Sequence, residues 1–352
     1  MHVGPAVRGV CRDPNFSSFR SVFICVHLWL LLCLLLSCAK RACSRRERRD
    51  DTAVSETKNI TVAVVQCGVP AGVTAREQFE RLAPMVREAA NRGKRGAELV
   101  VLPELILGRY FPQAPATPEN LARAHALAQP LAGGWATAAF HALARELGVS
   151  LVVSLYERTA DERFFNTLVL VTPEQPVAAT YRKVHIPDDP KFYERPYFAR
   201  GDEHVVWPTP AATLGPMICY DQWYPEAART ATLGGAEVLM YPTAIGWDHD
   251  EPASEQDRQL DAWVTIQRSH TIANMVCLVA ANRVGTEGSL TFWGSSFICA
   301  PGGRVLAQAS RDREEVIAAT LELGEIAELR RIWPLLADRR PDAYGALTRE
   351  QG

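Results

Sequence analysis

Several large functional classes leave no mark on this 352-residue chain. No G-x-G-x-x-G or G-x-x-x-x-G-K-[ST] segment follows a strand-like run, so no nucleotide-phosphate cradle is indicated. Lysine and arginine number 38 against 40 aspartates and glutamates, a net charge of −2, so no broad basic field is available to grip nucleic acid. No Cys/His group has zinc spacing, and no metal is expected. Nine cysteines are too few and too uneven for a disulfide framework: Cys11, Cys25, Cys33, Cys38 and Cys43 precede residue 60, and only Cys67, Cys219, Cys277 and Cys299 follow it. Internal repeats and Gly/Ser/Pro-rich linkers are also missing. What remains is ordinary globular composition, 47% hydrophobic and 22% charged, with ample material for a core.

The first 59 residues stand apart. Val22 to Cys38 is apolar except for His27 and Ser37, and its 17 residues are at the short end for a membrane span. Three readings are open: an anchor, a secretory signal ending near Cys38, or an over-long gene start. Lys40, Arg41, Arg45, Arg46, Arg48 and Arg49 follow the run, which would keep the main body on the cytosolic side. The expected organisation is an extension over 1–59, one domain over 60–345 and a tail over 346–352. The expected compartment is the cytoplasm, with membrane contact only through 22–38.

Within the main body, β-branched and apolar runs alternate with helical patterns. Ile60–Gln66 reads as a strand. Thr74 to about Glu98 reads as an amphipathic helix with Phe79, Leu82, Met85, Val86 and Ala89 on one face. Glu98–Glu104 reads as a strand, Pro118 to Leu147 as a second helix, and 149–158 as a strand. The segments 164–173 and 177–186 read as a pair joined by a turn at Pro173–Pro176. Strand, helix and strand then recur across 213–219, 224–235 and 236–243. A helix near 259–275, three further strands and an arginine-rich tail complete the chain. Several neighbouring strands lack intervening helices, which predicts an α/β sandwich with mixed sheets.

Three segments each put a reactive side chain at the end of an apolar strand: Glu104 in "VVLPELILGRYF", Lys183 in "TYRKVHIP" and Cys219 in "GPMICYDQWYPE". Taken alone, each has an ordinary reading: a solvated carboxylate, a snorkelling lysine, a small buried hydrophobe. Together they supply a nucleophile, a cation that favours its thiolate and steadies an oxyanion, and a base. The helix beginning near Tyr224 would add its dipole to the thiolate, and the Tyr220 N–H a second oxyanion donor.

In this order the three segments resemble the nitrilase (carbon–nitrogen hydrolase) superfamily, over about Ile60 to Tyr344. The resemblance implies a four-layer α-β-β-α sandwich. It implies Glu104 as general base, Lys183 as oxyanion-stabilising lysine, Cys219 as nucleophile, and Glu194 in "KFYERPYF" as a second glutamate orienting lysine and substrate. No cofactor is implied; a homo-oligomer is. "RKVHIPDDPKFYERPYFARGD", "YDQWYPEAAR", "YPTAIG", "QRSHTIAN" and "DRRPDAY" are similar to the branch that hydrolyses N-carbamoyl amines such as N-carbamoylputrescine. Two departures are Pro216–Met217 before the cysteine and the stretch from Gly246 to Gln259. Tyr110, Tyr220, Asp188 and Asp189 are the substrate-binding candidates. A substrate with a distal ammonium wants carboxylates, and Asp188, Asp189, Asp248, Asp250 and Glu251 occupy two candidate lip loops. A ureido acid would want an arginine, for which Arg195 and Arg283 are available.

Competing readings remain open. They are a related amidase, ureidopropionase or nitrilase, a non-catalytic binding protein on the same scaffold, and a Cys219–His185 or Cys219–His270 dyad of thiol-protease type. The dyad leaves Glu104 and Lys183 unexplained.

Overall fold

The computed structural model describes residues 58–349. The apolar segment 22–38, and nearly all of the extension expected over 1–59, lie outside the described residues. Among the described residues, no helix is long and apolar enough to cross a membrane.

In chain order the first strands are β1 (Asn59–Gln66), β2 (Leu99–Val101), β3 (Ser150–Arg158), β4 (Phe164–Val171) and β5 (Ala179–Arg182). Short strands follow at β6 (Asp188–Asp189), β7 (Phe192–Tyr193), β8 (Trp207–Pro208) and β9 (Thr213–Pro216). Then come β10 (Val238–Thr243), β11 (Gly246–Asp248), β12 (Cys277–Asn282), β13 (Val284–Glu287) and β14 (Leu290–Trp293). The last are β15 (Phe297–Cys299), β16 (Val305–Gln308) and β17 (Glu315–Glu322). The α-helices are α1 (Ala75–Ala90), α2 (Pro118–His125), α3 (Trp135–Leu147), α4 (Pro225–Leu233), α5 (Ala253–Asn274) and α6 (Gly324–Ile332).

Two six-stranded sheets carry the architecture, ordered β17-β1-β2-β3-β4-β5 and β16-β15-β12-β10-β9-β8. Both are mixed: β1, β2 and β3 run parallel, as do β9, β10 and β12, while the flanking pairs are antiparallel. Alternation along the strands explains the layers. On β1, Val62 and Val64 enter the core between the sheets, beside Leu214, Val238, Met240 and Val279 of the second sheet. Ala63 and Val65 point the other way, to Leu82, Val86 and Phe140 of α1 and α3. Across the molecule Leu239, Leu278 and Ala280 pack on Ala228 and Ala231 of α4 and Trp263 of α5. A strand buried on both faces needs an unbroken apolar run, which is what 62–65 and 276–281 supply. The result is the four-layer α-β-β-α sandwich of nitrilase type.

Local chemistry places the boundaries. Thr74 caps α1 in a capping box with Glu77. The single helix expected over Pro118–Leu147 is two helices, because Pro130 and the glycines at 133 and 134 interrupt it. Gly133 has φ +74°, and a Cβ on Gly134 would come 2.1 Å from the Pro130 carbonyl oxygen. The strand expected through Glu104 stops at Val101, and the one expected through Cys219 stops at Pro216. The three candidate residues therefore stand just past their strands, Glu104 and Cys219 in turns and Lys183 directly after β5. A third, small sheet (β11-β14-β13) was not expected from the alternation. Exposed apolar side chains gather towards the C-terminus at Ile332, Trp333, Leu335 and Leu347.

Candidate active site

Lys183 follows β5, its amide donating to the Asn166 carbonyl of β4. Its ammonium is fully buried and bonds two carboxylates: Glu104 Oε1 at 2.9 Å, and Glu194 Oε1 and Oε2 at 2.9 and 2.7 Å. Glu194 follows β7 and is also fully buried; its Oε1 accepts from the Tyr110 hydroxyl at 2.7 Å. Glu104 Oε1 accepts a second bond, from Asn166 Nδ2 at 2.7 Å, while the Ser154 hydroxyl donates to Asn166 Oδ1 at 3.0 Å. The other carboxylate oxygen, Glu104 Oε2, is buried and finds no donor among the described residues.

The backbone that carries Glu104 is held just as firmly. Leu105 has φ +47°, a conformation a leucine does not choose unaided. Arg283, fully buried, donates from Nε to the Glu104 carbonyl at 3.0 Å and from its second terminal nitrogen to the carbonyls of Leu105 and Gly108. Its remaining nitrogen meets Glu287 Oε1 at 2.8 Å, and Glu287 Oε2 accepts from the Tyr110 amide at 2.7 Å. The bonds close a circuit: Glu104, Lys183, Glu194, Tyr110, Glu287, Arg283 and back to Glu104.

Cys219 opens a 3-10 turn, Cys219–Trp223, after the extended residue Ile218, and has φ +42°. Strain of this kind costs on the order of 1–3 kcal/mol and persists only where the surroundings enforce it. The Cys219 and Tyr220 N–H groups head the turn, where no intrahelical acceptor exists. Burial pushes the thiol well above its ordinary range, and Glu104 pushes it further; Lys183 pulls the other way. Burial also favours a neutral Lys183, but Glu104 and Glu194 outweigh it and hold the ammonium above its usual range. Glu194 is raised by burial and then by Glu104, against Lys183. Lys183 favours the thiolate, as expected, but burial and Glu104 outweigh it. α4 begins at Pro225 with Tyr224 as its N-cap, where the helix was expected, six positions past Cys219.

A cavity of about 590 Å³ opens beside Cys219 and Glu194. Its apolar walls include Phe192, Trp223 and Trp293, and Tyr220 lies on it as expected. Of the acidic candidates, Asp189, Asp248 and Glu251 reach the wall. Asp188 does not; its side chain is partly exposed, with Arg195 at 3.9 Å. Asp250 is likewise not on the wall. Tyr110, expected to touch substrate, is fully buried and holds Glu194 instead. Arg283 cannot receive a substrate carboxylate, since every nitrogen is engaged; Arg195 also lies off the cavity. The divergent stretch from Gly246 to Gln259 does line the cavity, and it brings a residue not foreseen, Arg258.

Neither histidine of the alternative dyad serves the thiol. His185 Nδ1 bonds Asp221 at 2.8 Å and its ring stacks on Tyr224, while His270 Nε2 bonds the Gln222 carbonyl. His185, His204 and Asp221 bring ligand atoms within 4.8 Å of one another. That set fits a metal poorly, because four protein donors already occupy the Asp221 oxygens. Asn166, Tyr110, Asp221 and the Arg283–Glu287 pair were not singled out for these roles. A polar residue inside "FFNTLVLV" and an acid two positions after Cys219 were the available signals.

Known proteins are similar along most of the chain. The family model for carbon-nitrogen hydrolase matches residues 61–331. An N-carbamoylputrescine amidase of Oryza sativa subsp. japonica is 38% identical over 77% of this chain and 89% of its own length. A citrullinase of Francisella tularensis is 33% identical over 83% of this chain and 99% of its own. The crystal structure of a carbon-nitrogen hydrolase from Helicobacter pylori G27 superposes with a TM-score of 0.78 at 39% identity, covering 84% of this chain and all of that one.

The circuit makes a stability prediction. Arg283→Met leaves buried Glu287 with only its longer ion pair to Arg109, at 3.8 Å, and frees three carbonyls, and should cost about 3–5 kcal/mol. Urea unfolding of the variant checks this; a loss below about 1 kcal/mol would show that the pair does not hold the Glu104 turn.

Proposed function

This chain belongs to the carbon–nitrogen hydrolase family and is an amide-cleaving hydrolase; from that premise we propose that it is a thiol hydrolase of N-carbamoyl amines, with N-carbamoylputrescine as its substrate. The observation that carries the mechanism is the state of Glu104. One carboxylate oxygen is fixed by Lys183 and Asn166, and the other is buried without a donor. Such an oxygen is a ready proton acceptor. The thiol near it is held protonated by burial and by negative charge, so it needs a base at the moment of attack.

In the proposed reaction Cys219 Sγ attacks the carbamoyl carbon as Glu104 takes the thiol proton. The oxyanion is met by Lys183 and by the amides that open the Cys219 turn. Collapse breaks the bond to the terminal nitrogen, Glu104 returns the proton, and ammonia leaves. Water, deprotonated by Glu104, then attacks the carbamoyl thioester. The released carbamate decomposes to carbon dioxide and the free amine, one water being consumed overall.

Substrate choice rests on the charged side chains of the cavity wall. Asp189, Asp248 and Glu251 suit a distal ammonium, and N-carbamoylputrescine carries one. The citrullinase relative points to a second reading. Citrulline adds a carboxylate, and Arg258 lies on the cavity wall, although its guanidinium already pairs with Glu255. Three acids against one engaged arginine favour the cationic substrate.

A substrate panel tests this. Ammonia release from N-carbamoylputrescine should exceed that from citrulline, 3-ureidopropionate and simple amides by at least about tenfold in kcat/KM. Equal or better turnover of citrulline would reverse the choice. Cys219→Ala should abolish turnover, and iodoacetamide should alkylate Cys219 itself, located by peptide mass; a Cys219 that stays unlabelled would indicate a binding protein on this scaffold.

The pH profile makes a second test. Burial raises Glu194 to about 7, against the pull of Lys183. Below that pH it takes up a proton and its hold on Lys183 weakens, so kcat/KM should fall. Glu194→Gln removes that titrating group, and the limb near pH 7 should be absent from the variant's profile. A limb that persists unchanged in Glu194→Gln would mean that Glu194 does not carry it.

A further inference from the structure

Asp221 is fully buried and takes no part in the reaction scheme above. It lies two positions past the cysteine, in the same 3-10 turn. Both of its oxygens are saturated. Oδ2 accepts from the Ile218 amide at 2.9 Å and from the Tyr181 hydroxyl at 2.7 Å. Oδ1 accepts from the His185 amide at 3.0 Å and from His185 Nδ1 at 2.8 Å, the ring nitrogen being the donor because a carboxylate only accepts.

The donors come from two places along the chain. Tyr181 and His185 stand two residues before and two residues after Lys183. Ile218 immediately precedes Cys219. One carboxylate thus spans the segment that delivers the ammonium and the turn that delivers the thiol. The strained backbone at Cys219, φ +42°, needs an external restraint, and the bond from the Ile218 amide is applied one residue away. Hydrogen bonds to an ionised carboxylate are about twice as strong as neutral ones. Burial favours the neutral acid, but the His185, Ile218 and Tyr181 donors outweigh it and hold this carboxyl below its ordinary range.

We propose that Asp221 is a positioning residue: it bolts the Cys219 turn to the Lys183 segment and so sets the approach of sulfur to the ammonium and to Glu104. It acts through the backbone and touches neither substrate nor the reacting atoms. The catalytic consequence rests on the function proposed above; the geometric one does not.

The test uses the full chain with Asp221→Asn and, as a milder variant, Tyr181→Phe. Asparagine keeps the shape but turns an NH₂ towards groups that are themselves donors. Two readouts are taken on protein shown to be folded by circular dichroism: steady-state kinetics on N-carbamoylputrescine, and the rate of Cys219 alkylation by iodoacetamide, located by peptide mass. Asp221→Asn should lower kcat by about 100-fold while KM stays within about threefold, and should slow alkylation by about tenfold. Tyr181→Phe, losing one donor of four, should move both in the same direction by about threefold to tenfold. If kcat and alkylation in both variants stay within about twofold of the parent, the proposal is overturned. If the parent does not turn over carbamoyl amines, the substrate assignment fails and the alkylation rates still decide the role of Asp221. If Asp221→Asn does not fold, Tyr181→Phe decides it alone, and two unchanged readouts there overturn it.

Discussion

A single buried ammonium shared by two buried carboxylates is the constraint on which this site depends. Lys183, Glu104 and Glu194 are all fully shielded from solvent. Removing such charges from water costs several kcal/mol each, repaid only when geometry is good and the remaining hydrogen-bonding capacity is met. Here it is met almost completely. Lys183 makes three bonds to carboxylate oxygens, Glu194 takes a fourth from Tyr110, and Glu104 takes one from Asn166. The exception is Glu104 Oε2, and an unmet buried oxygen on a carboxylate beside a cysteine is where proton-transfer chemistry would be sought first.

The scaffold explains why that arrangement can be rigid. The two sheets bury apolar strands on both faces, so strand ends have little freedom, and the turns leaving them carry the polar groups. Two charged devices then fix the turns. Arg283, paired with Glu287, gathers the carbonyls of Glu104, Leu105 and Gly108, and Asp221 gathers the donors around Lys183 and Cys219. Both turns contain a non-glycine residue at positive φ, Leu105 in one and Cys219 in the other. Local strain and a buried charged clamp occur together in each, as expected where the surroundings impose a backbone that the sequence would not adopt alone.

Much of this could be read from the chain itself, and the reason differs by feature. The layered fold was legible because runs such as 62–65 and 276–281 are apolar at every position, as a strand covered on both faces requires. Glu104, Lys183 and Cys219 were visible because reactive groups end such runs. The break between α2 and α3 was missed although Pro130 and two glycines mark it, because the flanking helical periodicity dominated the reading. The balance of effects on the thiol was not legible, because the burial that outweighs Lys183 is a property of the folded site and not of any one segment. Arg283 looked like a ligand for an anion because its sequence neighbours do not disclose the carbonyls it receives. Such contacts join positions some 180 residues apart.

The most direct test is the ionisation of Cys219 in the free protein. The ultraviolet thiolate absorbance of the parent, minus that of Cys219→Ser, should be absent at neutral pH, because burial, and after it Glu104, hold the sulfur protonated against the pull of Lys183. A clear thiolate band at neutral pH would mean that Lys183 is paired with sulfur rather than shared by Glu104 and Glu194, and the account of this site would be wrong.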